Sequence, residues 1–282
     1  MSPVSPAATA PVRELNDGTR LPGLGLGTYP MDDTEAERAV AEAVRLGYRL
    51  IDTAVNYGNE TGTGRGVRHS GLPREQIVVT TKLPGRHHGY DETLASFEES
   101  RKRLGLEYVD LYLIHWPLPR VDKYVDSWRA MVKLREEGAV RSIGVSNFTA
   151  AHIDRLERET GVLPSVNQIE MHPLFPQEEL RGQLAGKGVA VESWSPLGRG
   201  SDLLADPAVK AVAEAHDRTP GQAVLRWHTQ LGAVPIPKSG DPQRQRDNLD
   251  IFGFELSEEE LAAITAGERR RLGGDPEQHE EF

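Results

Sequence analysis

Short apolar runs alternate along this chain with longer stretches in which apolar residues recur every three or four positions. The first signal is separate from that alternation. Residues 12–14 and 20–22 are brief extended runs flanking Asn16-Asp17-Gly18, and Asp-Gly between such runs predicts a β-hairpin. Strands are then expected at 24–27, 49–52, 77–81, 109–114, 140–145, 166–169, 189–193 and 234–236. Helical spacing fills the intervals, as in residues 34–46, where Ala36, Ala39, Val40, Ala43 and Val44 share one face. Further helices are expected at 60–69, 93–104, 125–137, 150–160, 177–186, 207–215 and 221–231.

The strands are mostly continuous in apolar residues, which indicates a parallel sheet covered by helices. Their count, and a length of 282 residues, suit a closed (β/α)₈ TIM barrel, an α/β fold. An open doubly wound sheet is the alternative. It would want a GxGxxG turn at the first helix, whereas Gly23, Gly25 and Gly27 are spaced two apart. No linker or repeat divides the chain, so residues 12–282 are expected to form a single barrel domain. Residues 1–11, MSPVSPAATAP, lack the basic and apolar regions of a signal peptide. They read as a disordered tail, with the cytoplasm as the default location.

Composition narrows the partners. Hydrophobic residues make up 38% and charged residues 27%, the balance of a soluble globular protein, and no window approaches the roughly 18 apolar residues of a membrane helix. A net charge of −10 argues against nucleic acid or an anionic membrane as partner. An anionic ligand therefore needs a local basic cluster. With no cysteine, disulfides, thiolate metal sites and a thiol nucleophile are excluded.

The chemistry gathers at the carboxyl ends of the expected strands, where barrels carry their catalytic groups. Asp52 ends the second, Lys82 follows the third, His115 the fourth and Asn147 the fifth, while Gln168 to Glu170 close the sixth and Trp194 the seventh. Alone, Asp52 reads as a helix cap and Tyr57 as a packed ring. Together they suggest more. A phenol with an ordinary pKa of about 10 exchanges protons poorly near neutrality. An ammonium beside it lowers that pKa, and a carboxylate keeps the ammonium charged and aimed. Lys82 and Asp52 suit those roles, and His115 can donate to and orient a carbonyl oxygen.

The result is a proton donor for a carbonyl under reduction, with the hydride left to a cofactor. Competing readings are a Schiff base on Lys82 and a structural or metal-bound His115. Metal is disfavoured because no HxH or HExxH pair occurs at a strand end or on a helix. A serine hydrolase is disfavoured because GVSNF at Gly144 lacks the last glycine of GxSxG.

After the eighth strand the chain reads IPKSGDPQRQRDN. Lys238, Arg244 and Arg246 cluster there in a loop that opens a helix, the place where barrels bind phosphate. Arg244 can clamp a phosphate through two hydrogen bonds. A solvated basic face is the competing reading.

Three motifs, GYRLIDTAVNYGNETGTG at Gly47, GAVRSIGVSNF at Gly138 and IPKSGDPQRQRDN at Ile236, together with TTKL, DLYLIHWP, VNQIEMHP and ESWSPLG, resemble the aldo-keto reductases. Within them, the chain is most similar to the bacterial 2,5-diketo-D-gluconate reductase group. The resemblance covers residues 12–275 and implies an NADPH-dependent carbonyl reductase, monomeric, acting on a small-molecule carbonyl. It places the catalytic tetrad on Asp52, Tyr57, Lys82 and His115, with Tyr57 as general acid.

It also implies that Ser146, Asn147 and Gln168 hold the nicotinamide amide and that Trp194 stacks on its ring. Ser195 and Leu197, with a contact near Gly27 and Thr28, line the pyrophosphate. Lys238, Ser239 and Arg244 take the 2′-phosphate, Asn248 meets the adenine, and Tyr29 and Trp116 wall the substrate pocket. Three positions depart from the family pattern. Thr63 replaces an aliphatic residue, with no consequence expected. Asp247 stands where a Glu often touches the adenine amine. Pro84 replaces a pocket aromatic, which predicts a wider or differently shaped pocket, and the C-terminal tail is where the family varies most. A lyase using Lys82 and a cofactor-binding regulatory subunit remain as alternative functions.

Overall fold

The computed structural model describes residues 10–281. Residues 1–9 of the expected tail lie outside the described residues. The Pro11 carbonyl accepts from the Gly23 amide at 2.7 Å, just ahead of the expected hairpin, which forms from β1 (Val12–Glu14) and β2 (Arg20–Pro22) in antiparallel register.

Eight parallel strands follow in sequential order: β3 (Leu26–Gly27), β4 (Leu50–Asp52), β5 (Val78–Leu83), β6 (Val109–Ile114), β7 (Val140–Ser146), β8 (Val166–Glu170), β9 (Ala190–Trp194) and β10 (Ala233–Pro235). The first and last strands meet. The Gly25 amide donates to the Pro235 carbonyl and the Gly27 amide to the Pro237 carbonyl, each at 3.1 Å, and Gly27 bridges Lys238 in parallel. The barrel closes, as the strand pattern predicts.

Its outer ring includes α1 (Asp33–Leu46), α2 (Glu60–His69), α3 (Tyr90–Leu104), α4 (Tyr124–Glu136), α5 (Ala150–Thr160), α6 (Glu178–Gly186), α7 (Pro207–Ala215) and α8 (Pro220–Gln230). The apolar stripe of α1 is buried as its spacing predicts, and its N-terminus is capped by Asp32, which accepts from the Glu35 amide at 2.8 Å. Two helices follow β10: α9 (Pro242–Leu249) and α10 (Glu258–Thr265). The latter is absent from the apolar periodicity. Its signal is a capping box in which Ser257 and Glu260 satisfy each other's backbone amides.

Two apolar layers result. Outward strand residues such as Ile51, Val79, Tyr112 and Ile143 pack against Val40, Phe97, Trp128 and Ile153 of the helices. Inside the barrel, Leu50, Leu111, Leu113, Val166, Ala190, Val234 and Ile236 pack with Leu15 and Leu21 of the hairpin, which closes the floor. Gly25 belongs to this interior: a Cβ there would come within 2.7 Å of Ile236 Cδ1 and 2.9 Å of Leu50 Cγ. That close approach, rather than a phosphate turn, accounts for a glycine at this position.

Candidate active site

The site follows from the two-residue period of the strands. On each strand the residue two beyond an interior apolar side chain faces the same way. Leu50 is thus followed by Asp52, Leu113 by His115, Val166 by Gln168 and Ala190 by Glu192. A polar layer therefore sits directly above the apolar floor. Lys82 joins it from within β5, which runs on to Leu83 and so encloses the lysine rather than ending before it.

Lys82 is completely buried. Its Nζ donates to Asp52 Oδ1 at 2.6 Å, to the Thr53 carbonyl at 3.0 Å and to the Tyr57 hydroxyl at 3.3 Å. Burial works against the lysine's charge, but Asp52 and Tyr57 outweigh it and hold the ammonium above its ordinary pKa. At Tyr57 the balance runs the other way from the sequence argument. Burial dominates and raises the phenol's pKa; Lys82 lowers it, Asp52 opposes that, and the group is pushed up to about 12. Lys82 thus moderates the rise without reversing it, and the phenol keeps its proton across the working pH range.

Tyr57 is presented by a short 3₁₀ turn, Val55–Tyr57, and the buried Asn59 fixes the loop around it. The Asn59 amide donates to the Thr28 and Met31 carbonyls at 3.0 and 2.9 Å and accepts from the Thr53 hydroxyl at 2.7 Å. The His115 ring lies edge-on to Tyr57, centroids 5.8 Å apart. Asp52, Tyr57, Lys82 and His115 are thereby brought together.

A cavity of about 840 Å³ opens over this group and extends to Lys238. Gly27, Ser146, Asn147, Gln168, Trp194, Ser195 and Leu197, which the resemblance assigns to the cofactor, line it. The Trp194 indole donates to Asn147 Oδ1 at 2.8 Å, and Asn147 Nδ2 donates to the His115 carbonyl at 3.0 Å. Thr28 is not part of this wall: it is buried, and its hydroxyl donates to the Asp52 carbonyl at 3.1 Å.

Near the far end, Ser239 is buried with its hydroxyl donating to the Asp241 carbonyl at 3.1 Å. Asp241 caps α9 by accepting from the Arg244 amide at 2.9 Å. Arg244 is exposed on that first turn, and among the described residues its guanidinium makes no ion pair within 4 Å. Asn248 is buried one turn later, and Asp247 accepts from Gln243 Nε2 at 2.8 Å.

Tyr29 and Trp116 flank the catalytic end, Tyr29 with its ring centroid 5.1 Å from that of Tyr57. Pro84, which is expected to leave a wider or differently shaped pocket, is buried and does not line the wall, and the C-terminal segment supplies that side. His279 packs on Trp116, centroids 4.1 Å apart, and Glu281 lies 3.0 Å from His115 Nδ1. The Glu281 backbone passes so close to Gly85 that a Cβ there would collide with it. Glu170 anchors the start of this strap by accepting from the Leu272 and Gly273 amides at 2.6 and 2.8 Å. Thr63 is buried inside α2 with its hydroxyl unpartnered among the described residues.

Comparison with known proteins agrees with the motif resemblance. The family model described as the Aldo/keto reductase family matches residues 22–268. The 2,5-diketo-D-gluconic acid reductase B of Corynebacterium sp. (strain SHS752001) is 51% identical, over 96% of this chain and 99% of that protein. Among solved structures, an aldo/keto reductase from Brucella melitensis superposes with a TM-score of 0.88 at 50% identity, covering 92% of this chain and 99% of its own. A Bombyx mori aldo-keto reductase in complex with NADP gives a TM-score of 0.88 at 38% identity, covering 95% and 96%.

Proposed function

The chain belongs to the aldo/keto reductase family, and from that premise we propose that it reduces a small-molecule aldehyde or ketone to an alcohol with NADPH, Tyr57 giving the proton. The observation that carries this reading is the buried Lys82 ammonium held between Asp52 and the Tyr57 hydroxyl, beside His115, at the base of a cavity that reaches Lys238. NADPH, when bound, supplies the hydride.

The protein's own groups divide the remaining work. His115 orients the carbonyl oxygen, and Tyr57, protonated by virtue of its burial, delivers its proton to that oxygen as negative charge develops there. Lys82 stabilises the phenolate left behind, and Asp52 keeps Lys82 charged and in place. Gln168, Ser146 and Asn147 would hold the nicotinamide amide, and Trp194 would face its ring. Lys238 and Arg244 would take the 2′-phosphate. The long cavity, with Lys238 in its wall and Arg244 on the helix that follows, supports such a dinucleotide, and the same pair of cations favours NADPH over NADH.

The relative named for 2,5-diketo-D-gluconic acid supports a small keto acid or similar carbonyl as substrate. The protein is taken to act as a cytoplasmic monomer; among the described residues no helix is long and apolar enough to cross a membrane. A Schiff-base role for Lys82 is not favoured, because a buried ammonium held by a carboxylate is a poor nucleophile. A panel of aldehydes and ketones followed by NADPH consumption tests the proposal. Turnover of at least one supports it; tight NADPH binding without turnover of any would favour the regulatory alternative.

A further inference from the structure

One ionisable group of the polar layer has no part in the proton delivery just described. Glu192 faces the barrel interior from β9, paired in register with Gln168 of β8, and is completely buried. Its Oε2 accepts from Gln168 Nε2 at 2.8 Å. The same nitrogen donates to Asp52 Oδ2, also at 2.8 Å. A primary amide nitrogen carries two hydrogens, and here both go to carboxyl oxygens. Flipping the amide would set its oxygen against the ionised Asp52, which can only accept, so the Gln168 oxygen is directed away from it, toward the cavity that Gln168 lines.

We propose that Glu192 is a positioning residue of the cofactor site: with Asp52 it fixes the Gln168 amide so that its oxygen is presented to the nicotinamide carboxamide. The proposal rests on the reading of Gln168 as a holder of that carboxamide. It extends the hydrogen-bonded line of Tyr57, Lys82 and Asp52 by two members, Gln168 and then Glu192. The arrangement also bears on the charge. Asp52 and Lys82 already form a compensated pair, and a second carboxylate in the same dry layer would lack a cation. Burial first, and then the Asp52 charge, push the Glu192 acid up to about 8, against the pull of Gln168 and Lys82. Its remaining oxygen, Oε1, has no partner among the described residues, which a neutral acid tolerates better than an ion.

The competing reading is that Glu192 merely fills the interior. Removing a buried acid with an unpartnered oxygen would then leave cofactor binding untouched. The test compares the affinity of the full-length protein for NADPH with its affinity for adenosine 2′,5′-bisphosphate, which lacks the nicotinamide, using tryptophan fluorescence and competition. Glu192→Leu should weaken NADPH roughly tenfold while adenosine 2′,5′-bisphosphate binds as before. Glu192→Gln keeps a carbonyl oxygen in place and should restore NADPH binding to near the native level. If the leucine variant does not fold, Glu192→Asp withdraws the acid by one methylene and should show the same selective loss. An unchanged ratio in Glu192→Leu or Glu192→Asp overturns the proposal when Gln168→Ala does shift it. An unchanged ratio in Gln168→Ala overturns the reading of Gln168 instead, and the proposal with it.

Discussion

The Glu281 carboxylate lies 3.0 Å from His115 Nδ1, so the chain's own tail stands at the ring that is to orient the carbonyl. Burial opposes the charge on Glu281, but His115 and Asn56 outweigh it and hold the acid below its ordinary range. A carbonyl that meets His115 at Nδ1 has to displace it. Glu281→Ala should therefore lower KM for the carbonyl about fivefold, the equivalent of ~1 kcal/mol, with kcat little changed. Steady-state kinetics at saturating NADPH checks this; an unchanged or higher KM would show that the tail aids binding instead.

Arg244 is exposed at the start of α9 and has no ion-pair partner among the described residues. Arg244→Ala takes away a charge-assisted hydrogen-bond donor to phosphate, which should weaken NADPH binding by about 10- to 100-fold. NADH, lacking that phosphate, should bind the variant nearly as well as the native protein. Equal weakening of both cofactors would contradict the assignment.

Glu192 also predicts a pH dependence of stability. Its acid titrates at an ordinary 4.5 in the unfolded chain and at about 8 in the fold, where it shares the interior with Asp52 of β4 and Lys82 of β5. Between those values the folded protein retains a proton that the unfolded chain has released. The contribution is complete below pH 4.5 and is lost as pH rises toward 8, at a slope of up to ~1.4 kcal/mol per pH unit. Urea midpoints at pH 6 and pH 8 should differ less in Glu192→Gln than in the native protein. Identical differences would sink the claim.

Thr63 is fully buried with its hydroxyl unpartnered among the described residues. Thr63→Val keeps the shape and removes the stranded group, which should stabilise the fold by about 1 kcal/mol and raise Tm by roughly 2 °C. A fall in Tm would mean that the hydroxyl is satisfied in solution.

These cases show what is legible in the sequence. The barrel and the group Asp52, Lys82 and His115 can be read because successive apolar runs each end at or near an ionisable residue, a purely local pattern. Lys82 sits at its strand end only approximately, since β5 extends past it to Leu83. The net effect on Tyr57 is hidden because the spacing of Tyr57 and Lys82 reveals the partner but not the burial that outweighs it. Glu192 reads in sequence as one more acid; only the closed sheet brings it onto Gln168. Glu281 stands in an acidic tail that looks like a solvated charge run, and its contact with His115 spans more than half of the chain. Pro84 in place of an aromatic predicts a differently shaped pocket, but only the fold shows the tail lining that side.

The central claim is that the Tyr57 hydroxyl, poised 3.3 Å from Lys82 Nζ, is the proton donor. Its most direct measurement is kcat for a reducible carbonyl in Tyr57→Phe, with NADPH affinity measured alongside. The account predicts a loss of about 10²- to 10⁴-fold in kcat with NADPH bound as tightly as before. Retention of most of the native rate would contradict it.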